Sequence, residues 1–202
     1  MTKGAVLRRF ARFLSVCAVA GLASFAHTQQ VDVAGGGSEI YSSKNSTASQ
    51  AYVPPAEKGG VYESFSVVRL FENHFGYSLE LATPYKQQLY NGFQGYRPFI
   101  YDVNAVYAHH VAKRTTLNIM AGAGGQTTLF YTDYNFCSFP GGCIPRTNST
   151  HLLAHLGAGA RYSVWRNFFV RPEANYYFII NNDDFHSRNV IRLGASFGYT
   201  FH

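Results

Sequence analysis

An all-β chain, folded as an eight-stranded antiparallel up-and-down β-barrel that spans a membrane, is what the sequence predicts, on three observations. Eight segments alternate apolar and polar residues with a period of two, as strands with one greasy face do. The connections between them are alternately short and long, the pattern of a chain running up and down a closed wall. Beyond the N-terminal leader no stretch stays apolar for the roughly 20 residues that a membrane helix needs. A crossing by this chain therefore uses strands.

The leader comes first. Lys3, Arg8, Arg9 and Arg12 precede the apolar run Phe13 to Ala26 with no acid among them, which reads as a secretory signal peptide. Small residues at Ser24 and Ala26 place cleavage after Ala26, so residues 1–26 are the signal and residues 27–202 the barrel domain. Cys17 follows Val16 inside the apolar run, which is not where a lipoprotein signal carries its cysteine. Of the 17 Lys and Arg, four leave with the signal, and the remaining 13 face 11 acids. The high pI is thus mostly a property of the leader. No basic cluster survives, and the aromatics fall at strand spacing rather than beside Lys or Arg, so nucleic acid is excluded as a partner.

Removing the signal also removes Cys17 and leaves Cys137 and Cys143, separated by Ser-Phe-Pro-Gly-Gly. An even count in an exported chain favours a disulfide, with two free thiols as the other reading. Neither Cys-x-x-Cys nor a histidine lies at metal-ligand spacing beside them.

The strands follow in order. The first, Val31 to Tyr41, contains Gly35, Gly36 and Gly37 and is interrupted by Glu39. The second is Gly60 to Phe71. In the third, Phe75 to Pro84, Tyr77, Leu79 and Leu81 oppose Gly76, Ser78 and Glu80. The fourth, Arg97 to Val111, sets Phe99, Tyr101 and Val103 against Ile100, Asp102 and Asn104. The fifth runs from Thr115 to Tyr131 and the sixth from Thr150 to Val164, where Leu152, Leu156 and Tyr162 oppose His151, His155 and Arg161. The seventh, Phe168 to Ile180, alternates Val170, Ala174 and Tyr176 with Arg171, Glu173 and Asn175; Pro172 requires either a bulge or a later start. The eighth, Arg188 to Phe201, has Ile191, Leu193, Ala195, Phe197, Tyr199 and Phe201 on one face.

Tight connections fall at Glu72 to His74, Ala112 to Arg114 and Trp165 to Asn167, and long polar ones at Ser42 to Gly59, Tyr85 to Tyr96, Thr132 to Ser149 and Asn181 to Ser187. A soluble barrel or lipocalin would turn the apolar face inward. Here Tyr and Phe crowd that face near strand ends, as girdles at a lipid interface do, while the other face holds Gly and charges of both signs. The apolar face is therefore expected to point outward.

The interior then gathers Glu63, Glu80, Asp102 and Glu173 with Arg69, Arg161, Arg171 and Arg192. An eight-stranded barrel has room inside only for side chains, and charges buried there need partners. The expectation is a salt-bridged plug in which Glu80 and Asp102 reach across to the three arginines of the last strands; a gated ion path is the other reading. His151 and His155 share a strand face about 13 Å apart and read as inward, hydrogen-bonded histidines. His109-His110 and His186-Ser187 invite comparison with lipid-modifying barrel hydrolases, but no acid is placed to orient a histidine. No catalytic residue, cofactor or metal site is assigned. The sequons at Asn45 and Asn148 read as polar loop composition.

The aromatic end of the last strand resembles the closing strand of bacterial outer-membrane barrels, with His202 after Phe201 as a departure. The whole chain after the signal resembles the small OmpA-like family of Gram-negative outer-membrane barrels. The resemblance implies outer-membrane lipid as surroundings, the barrel-assembly machinery as a partner through the C-terminal strand, and both termini in the periplasm. It implies a non-enzymatic barrel that anchors itself and presents extracellular loops, chiefly Thr132 to Ser149 and Ser42 to Gly59, to an unidentified ligand. A narrow, porin-like outer-membrane pore is the alternative, and a lipid-modifying barrel enzyme the third reading. With no peptidoglycan-binding domain after His202, bracing of the cell wall is not expected.

Overall fold

The computed structural model describes residues 30–42, 56–57, 59–71, 74–90, 94–138, 142–185 and 187–201, the side chains of 132–145 excepted. The signal peptide, residues 43–55 of the first long loop, and His186 lie outside the described residues. The strands are β1 (Gln30–Ser42), β2 (Val61–Phe71), β3 (Phe75–Pro84), β4 (Gln88–Tyr90), β5 (Gln94–Ala112), β6 (Thr115–Ser138), β7 (Gly142–Trp165), β8 (Phe168–Ile179) and β9 (Asn189–Phe201). Eight of them close a barrel. Each pairs antiparallel with its neighbours in sequence, β3 pairs with β5, and β9 returns to β1 with Val31 opposite Phe201 and Ser42 opposite Val190. The ninth, β4, is a short arm that folds back on the start of β5, Leu89 facing Gly95.

The direction of the greasy face is decided by exposure. Leu79, Val103, Ile119, Leu156, Leu193 and Phe197 stand on the outside, and each strand buries the residues between its outward ones. The interior is layered. Toward the long loops Ile40, Tyr62, Ala82, Ile100, Leu153, Tyr177, Ile179 and Val190 form an apolar layer. Toward the tight turns Val68, Leu70, Val106, Ala108 and Met120 form a second. Glu80, Asp102, Glu173 and Arg192 lie between the two, buried.

Three expectations are corrected. Much of the stretch expected as a loop at 132–149 is strand: β6 and β7 remain paired as far as Ser138 opposite Gly142, across a register shift between Tyr131 and Phe136. This hairpin outruns its neighbours, because β5 stops pairing β6 at Phe130 and β8 stops pairing β7 at Leu153. Paired strands satisfy each other's backbone groups, so the polar composition that suggested a loop reflects solvation rather than irregularity. The segment 85–96, expected to be unstructured, holds β4. Pro172 needs neither a bulge nor a late start. It stands opposite Ala195 on β9, and on the other side the ladder with β7 skips from Glu173–Gly159 to Val170–Tyr162 without a change of register. The residue that cannot donate thus sits where no partner is asked for.

Candidate functional site

Period-two placement carries Glu80 (β3), Asp102 (β5), Arg161 (β7), Arg171 and Glu173 (β8) and Arg192 (β9) to the interior. Arg192, fully buried, binds Glu80 through Nη2, with Glu173 Oε1 at 3.6 Å from the same nitrogen. Arg171 places Nε 3.0 Å from Glu173 Oε2 and donates from Nη2 to Ser66 Oγ across the lumen at 2.7 Å. The Arg192 guanidinium also lies over the Tyr177 ring, 5.6 Å from its centroid. Long guanidinium forks suit this crossing of the lumen, because one head can engage two carboxylates at once.

Glu63 and Arg69 are corrections. β2 buries Tyr62, Ser66, Val68 and Leu70, so the odd-numbered residues point outward. Arg69 lies over Phe71, its Cζ 5.6 Å from the ring, and Nη1 is 3.5 Å from the Tyr77 hydroxyl. One turn-end residue separates it from the strand terminus, where a long stem reaches the interface. The expected partner of Asp102 is also corrected: among the described residues no arginine reaches it. Asn104 donates to its Oδ1, and His155 Nδ1 is 3.4 Å from the same oxygen.

The sequence reading missed Asp32. It is buried on β1 and receives Arg161, Nε to Oδ2 at 3.2 Å, while Thr200 donates to its Oδ1 at 2.7 Å. Arg161 covers the Phe169 ring at 4.9 Å, closing the turn end on this side. The signal was present: Asp32, Ala34, Gly36, Ser38 and Ile40 form one phase, and Glu39, which appeared to break the pattern, belongs to the other.

A cap closes the loop end. Glu57, buried between β1 and β2, accepts from Tyr62 at Oε1 and from Gln126 at Oε2, both at 3.0 Å, and its N–H donates to Ser187 Oγ at 3.2 Å. Phe185 drops among Tyr90, Tyr96 and Phe130, with centroids 5.6, 5.0 and 6.2 Å away. Burial pushes the Glu57 carboxyl up from its ordinary range, and the bonds from Gln126 and Tyr62 draw it partly back. A carboxyl whose folded value is raised takes up a proton on folding. Its contribution is fully present below the unfolded value, near 4.5, and is lost as pH rises through the folded one. Glu57→Gln is expected to remove that slope, flattening the urea midpoint against pH between the two values; an unchanged slope would refute the assignment.

His151, expected as an inward, hydrogen-bonded histidine, meets Ser149 and Asp184 at the same end. Ser149 Oγ lies 3.1 Å and Asp184 Oδ2 2.9 Å from one atom, His151 Nε2. A relay needs the acid on one ring nitrogen and the nucleophile on the other. This trio is a hydrogen-bonded rim rather than a triad. His109 and His110 are exposed, and Thr116 Oγ1 lies 3.0 Å from His110 Nδ1.

Comparison with known proteins places the architecture. No protein-family model matches the sequence, and no curated protein is similar to it. Among solved structures, Neisserial surface protein A aligns with TM-score 0.60 at 14% identity, covering 86% of this chain and 97% of its own. The attachment invasion locus protein Ail of Yersinia pestis, crystallised with the heparin analogue sucrose octasulfate, aligns with TM-score 0.55 at 16% identity over 86% and 97%. The N-terminal β-barrel domain of Pseudomonas aeruginosa OprF aligns with TM-score 0.56 at 13% identity over 85% and 97%. At these identities the likeness is one of fold. The chain is a closed, eight-stranded antiparallel β-barrel of the architecture that these small outer-membrane proteins have.

Proposed function

We propose that the protein is a non-enzymatic, integral outer-membrane barrel of the OmpA-like kind, plugged by its own side chains, that presents the β6–β7 hairpin and neighbouring loops at the cell surface. The observation that carries this reading is the pairing of an apolar outer wall with an interior in which Arg171, Arg192, Tyr177 and Phe169 are at most 1% exposed. A wall of this kind needs lipid on its outside, and an interior of this kind leaves no aqueous path. In this reading residues 1–26 are removed on export, both termini face the periplasm, and the strand ending at Phe201 is what the assembly machinery recognises. Fractionation tests it. The protein should sediment with outer membranes, resist carbonate extraction and migrate faster on gels unheated than boiled; recovery from the periplasm as a soluble species would refute the proposal. Planar bilayers test the plug, with no steps of current expected.

The hairpin carries a second expectation. Backbone register sets Cys137 opposite Cys143, and facing residues of antiparallel strands have Cα atoms about 4.5–5.5 Å apart, inside the range a disulfide spans. A bridge there would pin the hairpin tip. Mass spectrometry of the mature protein without reductant should find no alkylatable thiol, and two alkylated cysteines would dismiss the bridge.

A further inference from the structure

The charged layer does not balance. On the inward faces of the described strands stand four carboxylates, Asp32, Glu80, Asp102 and Glu173, and three guanidiniums, Arg161, Arg171 and Arg192. Asp32 is taken by Arg161, Glu173 by Arg171 and Arg192, and Glu80 by Arg192. Among the described residues no guanidinium reaches Asp102, whose side chain is 1% exposed and whose one cation-capable neighbour is the His155 imidazole. Asp102 also stands directly opposite Glu80 in the ladder. Two facing carboxylates in a site sealed from water repel one another unless a cation lies between them. One oxygen of Asp102, Oδ2, is buried with no hydrogen-bond partner.

The third side chain at this point is His155. Its ring is stacked on Tyr177 with centroids 4.6 Å apart, and Nε2 lies 3.1 Å from Asn175 Oδ1. Both ring nitrogens face amide oxygens, so an ion at the near nitrogen takes the place of its proton while the far one stays held by Asn175, the outer-shell arrangement that orients metal-binding histidines. The near nitrogen, Nδ1, is 3.4 Å from Asp102 Oδ1 and 2.7 Å from Asn104 Oδ1. Two donors each about 2.0–2.1 Å from a tetrahedral ion stand about 3.3–3.4 Å apart, which the His155–Asp102 separation meets. One ligand atom from each of Glu80, Asp102 and His155 can be chosen so that all lie within 4.8 Å of one another. Gly124 and Gly122 on β6 let β5 come close enough to bring Asp102 and Asn104 into place, since a Cβ would fall 1.9 Å from the Tyr101 carbonyl oxygen at the first and 2.1 Å from that of Val103 at the second.

We propose that Glu80, Asp102 and His155 form a binding site for one divalent transition-metal ion at the centre of the barrel. Two carboxylates and an imidazole suit zinc, cobalt, nickel, iron or manganese rather than calcium or magnesium, which prefer oxygen alone. The apolar layers on either side mean that the ion enters during folding and exchanges slowly afterwards. The three residues lie on β3, β5 and β7, so no spacing in the sequence announces them.

The test is refolding from urea into detergent with one equivalent of Zn2+, followed by dialysis and elemental analysis, and in parallel with Co2+, whose visible ligand-field absorption reports nitrogen and oxygen coordination. Wild type should retain about one ion per chain, and Asp102→Asn and His155→Gln should each weaken retention by about tenfold or more. Asp102→Asn keeps an oxygen acceptor for Asn104, and heat-modifiable gel migration identifies the folded fraction of every variant, so lost binding is separable from lost folding. Retained Zn2+ that is unchanged in both folded variants would place the ion elsewhere, on exposed His109-His110 or the cysteine pair, and overturn the proposal. Wild type without metal would overturn it equally.

Discussion

Glu173→Ala is expected to destabilise the barrel by about 3–5 kcal/mol, read as a lower urea unfolding midpoint in detergent or vesicles. Glu173 sits between two buried guanidiniums, Arg171 at 3.0 Å and Arg192 at 3.6 Å, and Ser196 Oγ lies 3.5 Å from its Oε2. Arg192 would keep Glu80. Arg171 would keep only the Ser66 hydroxyl, and its Nη1 is already without a partner. The cost is that of an uncompensated charge held away from water, not of one lost contact. Replacing the pair, Glu173→Leu with Arg171→Met, is therefore expected to cost much less than the single substitution, because two desolvated charges leave together. An ion path would behave in the opposite way, with the midpoint of Glu173→Ala barely moved and single-channel current raised. Measuring both quantities on that one variant distinguishes plug from path.

Strand existence was legible because the barrel wall turns one apolar face outward and carries most of its polar side chains on the other, which writes a period of two into the sequence. The second strand shows where legibility ends. Tyr62, Ser66, Val68 and Leu70 face inward and Phe65, Val67 and Phe71 outward, so both faces are apolar and the phase cannot be read from hydropathy; Glu63 and Arg69 were misplaced for that reason. Register with the neighbours settles it, since Ser66 opposite Glu80 fixes which phase is interior. Pairing across the lumen was less legible still. Arg192 to Glu80 and Arg171 to Ser66 join residues more than a hundred positions apart, and the sequence specifies only that buried charges find partners. Asp102 and His155 illustrate the consequence: each was placeable on a face, but that they meet depends on the closure of β3 onto β5 and on the position of β7 across the lumen.

Leu156→Arg is expected to cost about 2–4 kcal/mol in a bilayer, because a guanidinium at midplane depth has neither water nor a partner. Leu156 is 59% exposed on the outer wall, between Ala121 of β6 and Tyr176 of β8. Its ladder neighbours offer no carboxylate, and Tyr162 lies six positions further along β7 toward the turn end, too far for the side chain to reach an interface easily. Leu152, 70% exposed and level with the end of β8, provides the internal control: Leu152→Arg should cost only about 0–1 kcal/mol, since near the interface the long stem lets the charge reach headgroups or water. The comparison turns on depth rather than on hydrophobicity, because both positions exchange the same side chains. Equal, small costs at the two positions, or a barrel that folds and stays monomeric with neither detergent nor lipid, would mean that water rather than hydrocarbon meets this wall.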